Sequence, residues 1–146
     1  MGHKNVLEVL RDRATHRLDA VAQQLATLHH EHQHAVQQQQ LLYHYQKDYQ
    51  LLLSHESQGG IYAYRRENYH SFLETVANAL VAQSTALNTL EQQQQQLLGD
   101  WQQSRKKLNA LQVLIERRAQ RDTLCDFRAQ QKANDEFANR RFQGAE

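Results

Sequence analysis

Four histidines crowd one short stretch of this 146-residue chain: His29, His30, His32 and His34. Imidazole nitrogens are common zinc ligands, and residues four apart share one face of a helix. His30 and His34 have that spacing. A zinc site needs three or four converging ligands, and no carboxylate or cysteine is placed to complete one here. Cys125 is the only cysteine, which also excludes an internal disulfide. These histidines therefore read as helix surface, with His32 on a buried track, and the expectation is no metal and no cofactor.

The basic run Arg105-Lys106-Lys107, followed by Arg117-Arg118, Arg121 and Arg128, invites a phosphate-binding reading. It is interleaved with Glu116, Asp122 and Asp126, no aromatic platform accompanies it, and the whole chain carries only +1. No nucleic-acid partner is expected. The aromatic side chains are more informative. Tyr43, Tyr45, Tyr49, Tyr62, Tyr64, Tyr69 and Phe72 gather around Gly59-Gly60, and they include all six tyrosines. Tyr49 and Tyr69 fall on apolar tracks, whereas Tyr45 and Phe72 stand beside them. Exposed tyrosines concentrated in one place mark a protein interface, although some of this cluster is local packing.

Two long helices must position these groups. The chain has no proline and five glycines, which leaves none of the regular turn signals that sheets and barrels need. A three-four spacing runs from Tyr69 through Leu73, Val76, Leu80, Gln83, Leu87, Leu90, Gln94, Leu97, Trp101, Ser104, Leu108 and Leu111 to Ile115. That is a coiled-coil seam, and it stops where the next steps reach Arg118 and Asp122. A weaker track uses Leu7, Leu10 and Ala14. It shifts by a stutter to Leu18, and then follows Val21, Leu25, Leu28, His32, Ala35, Gln39, Leu42, Gln46, Tyr49 and Leu53. The glutamine runs Gln37–Gln40 and Gln92–Gln96 lie inside these heptads and read as helix surface with one seam residue each. The only tandem glycine, Gly59-Gly60, is the one plausible break.

The fold class is therefore all-α: a single antiparallel two-helix coiled-coil hairpin covering residues 1–146. Its helices span about 5–56 and 66–138, with a turn at about 57–65 and a frayed tail at 139–146. A short connection makes the helices antiparallel neighbours. At a rise of ~1.5 Å per residue they are ~75 Å and ~105 Å long, so the second overshoots the first. Pairing around the turn sets Leu53 near Phe72, His32 near Gln92 and Leu7 near Arg117. Residues 1–21 hold four basic and three acidic side chains, 22–101 three and seven, and 102–146 ten and six, giving +1, −4 and +4. One end of the rod is basic and the turn end mildly acidic, which suits a connector with two partners. A thin rod offers no dry, concave pocket, so an enzyme is not expected. With no apolar stretch of signal-peptide or membrane-helix length, the chain reads as a soluble cytosolic protein.

These features come together in one family. Leu7-Glu8-x-Leu10-Arg11-Asp12 stands near the start. Leu42-x-x-Tyr45-Gln46-x-x-Tyr49 precedes the turn, and Gly60-Ile61 and Asn68-Tyr69-x-x-Phe72 follow it. Trp101 comes later, and Gln131-Lys132-x-x-Asp135-Glu136-Phe137-Ala138-x-Arg140 closes the series. In this order and spacing, along essentially its whole length, the chain resembles the flagellar export protein family FliJ.

The resemblance implies a non-enzymatic stalk of the flagellar type III export apparatus, similar to the central rotor subunit of rotary ATPases. It implies that the terminal end contacts the hexameric export ATPase FliI and promotes its assembly. It implies that a face near the turn binds the cytoplasmic region of the export gate protein FlhA. Links to the ATPase regulator FliH and to export-chaperone cycling come with the family, as does a cytoplasmic place peripheral to the inner membrane at the flagellar base. Carried over residue by residue, the gate-binding face is Gln38, Leu42, Tyr45, Tyr49, Phe72, Val76, Ala79 and Gln83, with Val76 and Gln83 departing from the family's residue types. The ATPase-binding end is Leu7, Leu10, Arg11, Lys132, Asp135, Glu136, Phe137 and Arg140. Two alternatives stay open: the equivalent stalk of a virulence type III secretion system, and a generic coiled-coil adaptor in which two chains pair as long helices.

Overall fold

The computed structural model describes residues 5–144. Among them the chain is all-α, with helix α1 at Val6–Gln58, helix α2 at Ala63–Gln143 and no strand. The two helices pack against each other as an antiparallel hairpin.

The ends follow from local chemistry. Asn5 caps α1: its carbonyl accepts from the Val9 N–H at 3.1 Å and its side-chain oxygen from the Leu7 N–H at 3.5 Å. At the other end the Gly59 N–H donates to the Glu56 carbonyl at 3.2 Å, and Gly60 turns the backbone with φ of +84°. That is the left-handed region where a Cβ is penalised. The Tyr62 carbonyl then accepts from the N–H groups of Arg65 and Arg66, which starts α2. Both helices run further than the sequence suggested. Residues 139–143, expected as a frayed tail, are helical, because nothing interrupts the ladder before Gly144, whose N–H closes on the Arg140 carbonyl at 2.9 Å. Residues 145–146 of that tail lie outside the described residues.

The seam is where the three-four spacing puts it. Every residue of both tracks is buried or half-buried except Leu10, at 37% exposed. Leu10 stands one place off the register that Ala14 and Leu18 continue, and its half-buried neighbour Arg11 takes that place instead. From Glu116 onward every described residue is exposed, so the seam ends at Ile115.

The described residues form two compact units, one from Ala20 to Trp101 and the other from the flanking segments up to Asp19 and from Gln102 onward. In the first, Val21 and Ala35 of α1 and Val76, Leu80 and Leu87 of α2 are the buried apolar residues. In the second, Ala14, Leu108 and Leu111 form a buried cluster against which Leu7 and Leu18 pack, and Ser104 is the buried polar neighbour. Small side chains at Ala14, Ala35 and Ser104 let the helices approach closely.

Pairing differs slightly from expectation. His32 meets Glu91, one residue from the expected Gln92. Phe72 stacks on Tyr49, one helical turn before Leu53, and Leu7 reaches the Leu108 and Leu111 cluster, short of Arg117. The helices close around a turn of four residues between Gln58 and Ala63, tighter than the expected 57–65.

Candidate protein-interaction surfaces

One edge of the Ala20–Trp101 unit is apolar. In a heptad the residue just before each a position flanks the seam, and in an antiparallel pair these flanks from both helices line the same edge. Here they are Gln38, Tyr45 and Leu52 on α1 and Phe72, Ala79 and Ala86 on α2. Contacts join the two rows. The Tyr49 ring lies 4.0 Å from Phe72, centroid to centroid, and 6.0 Å from Tyr69 in an edge-on arrangement. Gln83 Nε2 approaches Gln38 Oε1 at 3.5 Å.

This edge contains the expected gate-binding face, and the side chains divide by exposure. Tyr45 is 44% and Phe72 37% exposed, and Gln38 is exposed beside them. Leu42 and Tyr49, in the seam, and Ala79, beside it, are half-buried. Val76 is buried, and Gln83 spends its amide on the Ala35 carbonyl at 2.8 Å. These last two hold the helices together beneath the edge. Sequence reasoning missed Leu41 and Leu52, which widen the same strip and are 51% and 45% exposed. The signal was present, since each stands one residue before a seam leucine.

Polar contacts brace the edge near the turn. Tyr69 donates its hydroxyl to Glu56 Oε1 at 3.0 Å, and the Arg65 guanidinium approaches the same oxygen at 3.4 Å. The hydrogen bond to Glu56, with partial desolvation and the carboxylate's charge, holds the Tyr69 phenol above its usual pKa. Tyr62 and Tyr64 stack on each other with centroids 5.9 Å apart, and both are exposed.

The expected ATPase-binding residues occupy the other unit and do not form one patch. Leu7 is half-buried on the Ala14 cluster, and Arg11 pairs with Asp12 at 3.1 Å. Lys132, Asp135, Glu136, Phe137 and Arg140 are all exposed on the part of α2 beyond the seam. Lys132 follows Leu111 by 21 residues, or ~30 Å of helix. The two halves of that set lie apart.

The remaining chemistry stays dispersed. No group of three His, Cys, Asp or Glu side chains comes together among the described residues. His29, His30 and His34 are exposed, and His32 lies across from Glu91 at 3.4 Å. One hollow of about 770 Å³ is an open groove lined by glutamines with Ala20, Thr27, Leu28, Leu97 and Asp100. It brings no second titratable group to Asp100. No described helix is long and apolar enough to cross a membrane.

Comparison with known proteins now adds to this geometry. The family model described as "Flagellar FliJ protein" matches residues 3–146. The chain belongs to the FliJ family. The Flagellar FliJ protein of Escherichia coli (strain K12) is 31% identical over 140 residues, covering 96% of this chain and 95% of that protein. The Flagellar FliJ protein of Salmonella typhi matches with the same identity and the same coverage. This FliJ-family chain is accordingly a component of the flagellar export apparatus.

Proposed function

We propose that this chain is a non-enzymatic stalk and coupling protein of flagellar export. In this reading its terminal segments bind the hexameric export ATPase FliI and promote its assembly, and its tyrosine edge binds the cytoplasmic region of the gate protein FlhA. The observation that carries the reading is the edge itself. Tyr45, Phe72, Leu41 and Leu52 stand exposed together on one side of a two-helix unit whose seam is already filled. A thin coiled coil keeps aromatic and aliphatic side chains in water at a cost, and exposed aromatics of this kind are what partner proteins bury.

The terminal half of the reading rests on different features. Residues 102–146 carry ten basic and six acidic side chains, and α2 presents Lys132, Phe137 and Arg140 without a neighbouring helix. Contacts with the regulator FliH and with export chaperones, and a position beside the inner membrane at the flagellar base, belong to the same proposal.

The test is turnover by dilute flagellar export ATPase with and without the full chain. Stimulation that disappears when residues 130–146 are removed is the expected result. A folded chain that leaves a competent ATPase unstimulated would overturn the stalk half of the reading.

A further inference from the structure

Beyond Ile115, α2 has no stretch of α1 beside it, because α1 begins at Val6 and Leu7 already packs on the Leu108 and Leu111 cluster. The helix from Glu116 to Gln143 is ~40 Å long at ~1.5 Å per residue. Its apolar residues do not continue the old seam, whose next steps are Arg118 and Asp122. A new three-four track begins instead: Gln120, Leu124, Phe127, Gln131, Asn134 and Ala138. At about 100° per residue, Leu124 lies about 180° around the helix from Ile115, so this track faces away from the hairpin seam. Leu124 is 48% and Phe127 63% exposed, and the two line a shallow hollow with Ala119, Gln120, Thr123 and, at its near end, Glu116.

One flank of the track indicates what covers it. Arg117 and Arg121 are four apart, and so are Arg128 and Lys132, all along one side; Asp135 follows at the far end. Like charges at that spacing weaken an isolated helix. No ion pair given by the described residues engages any of these four cations. A carboxylate-bearing neighbour relieves both pairs at once. The three amides on the track, Gln120, Gln131 and Asn134, suit a helix–helix seam, where polar core residues set register, better than an apolar pocket.

We propose that this extension carries a second coiled-coil seam that receives an acidic amphipathic helix of a partner protein, with Leu124 and Phe127 as apolar anchors and Arg117, Arg121, Arg128 and Lys132 meeting its carboxylates. The inference goes beyond the ATPase contact. Phe137 and Arg140 point to the other side of the helix, and only Lys132 is common to the two sets. A second copy of this chain is a poorer occupant, since it brings its own arginines to the same flank.

The experiment uses the full chain and two synthetic helical peptides of four heptads. Both have leucine at a and d; one has glutamate at the flanks and the other lysine. The glutamate peptide is expected to bind, and Leu124→Asp with Phe127→Asp to weaken it about tenfold or more. Arg121→Glu with Arg128→Glu is expected to reverse the preference in favour of the lysine peptide. Phe137→Asp is expected to leave peptide binding unchanged, which separates this face from the proposed ATPase contact. Circular dichroism checks that each variant keeps its helix. Equal binding of both peptides, or a preference that survives charge reversal, would overturn the proposal. So would self-association of the chain, seen by sedimentation, that Leu124→Asp dissolves.

Discussion

Gln83 occupies a seam position, and its neighbours leave it one good partner. Its amide donates to the Ala35 carbonyl of the facing helix at 2.8 Å, a bond that exists in one register only. Leucine there adds buried apolar area, worth about 1 kcal/mol, and removes that constraint. Gln83→Leu should therefore raise the melting temperature while broadening the distance distribution between spin labels at residues 37 and 86. A distribution as narrow as the parent's would remove the register role. Tyr69 makes a different case, because its phenol is held above the usual pKa chiefly by its hydrogen bond to Glu56. With the folded pKa raised, the neutral phenol stabilises the fold. That contribution is complete below about pH 10, the ordinary tyrosine value, and is lost as pH rises through the folded pKa. In an absorbance titration Tyr69→Phe should remove a phenol that titrates above the ordinary tyrosine value and flatten this part of the alkaline stability loss. An unchanged late phase would assign it to another tyrosine. Neither contact was legible in sequence. A track of spacings identifies the position of Gln83 and Tyr69 but not the carbonyl or carboxylate across from each.

At the scale of elements, the seam was legible because each side chain on it answers one requirement: to face the other helix every third or fourth residue. Burial of Val76, Leu80 and Leu87, and exposure of every described residue after Ile115, both follow from that periodicity. Helix ends were read less well. Periodicity fades before a helix does, and α2 continues through polar, helix-forming residues to Gln143. The contrast predicts a division in mutational cost. Leu87→Ala should destabilise the fold by about 2–3 kcal/mol, as expected for a buried leucine, whereas Phe137→Ala should stay within about 0.5 kcal/mol. Chemical denaturation measures both, and a large loss at Phe137 would mean that the extension packs on something within the chain. The turn gives a second, sharper contrast between neighbours. Gly60→Ala forces a Cβ into φ of +84° and should cost about 1 kcal/mol or more. Gly59→Ala meets only the Glu56 carbonyl at 3.9 Å and should be nearly neutral.

For the whole molecule, family membership was legible because a few short motifs stand in a recognisable order and spacing along a proline-free chain. The edge that unites Tyr45, Phe72, Leu41 and Leu52 was legible only in part. Which flank of a seam lies outward depends on how two helices face, and one track alone does not contain that. The functional proposal then makes a separable prediction, since the tyrosine edge and the bare end of α2 belong to different units. Tyr45→Ala with Tyr49→Ala should weaken binding to the cytoplasmic region of FlhA about tenfold or more, the loss typical of truncated aromatic anchors. The same variant should keep its ATPase stimulation and nearly all its helix, because Tyr45 is 44% exposed and Tyr49 only half-buried. Removing residues 130–146 should do the opposite, abolishing stimulation while FlhA binding persists. Titration of FlhA by calorimetry, alongside ATP turnover and circular dichroism on the same preparations, distinguishes the outcomes. Loss of helix in the double tyrosine variant would make Tyr49 and its stack on Phe72 a packing device. Loss of both partners in either variant would mean that the two contacts are not independent, and the bivalent coupling reading would fall.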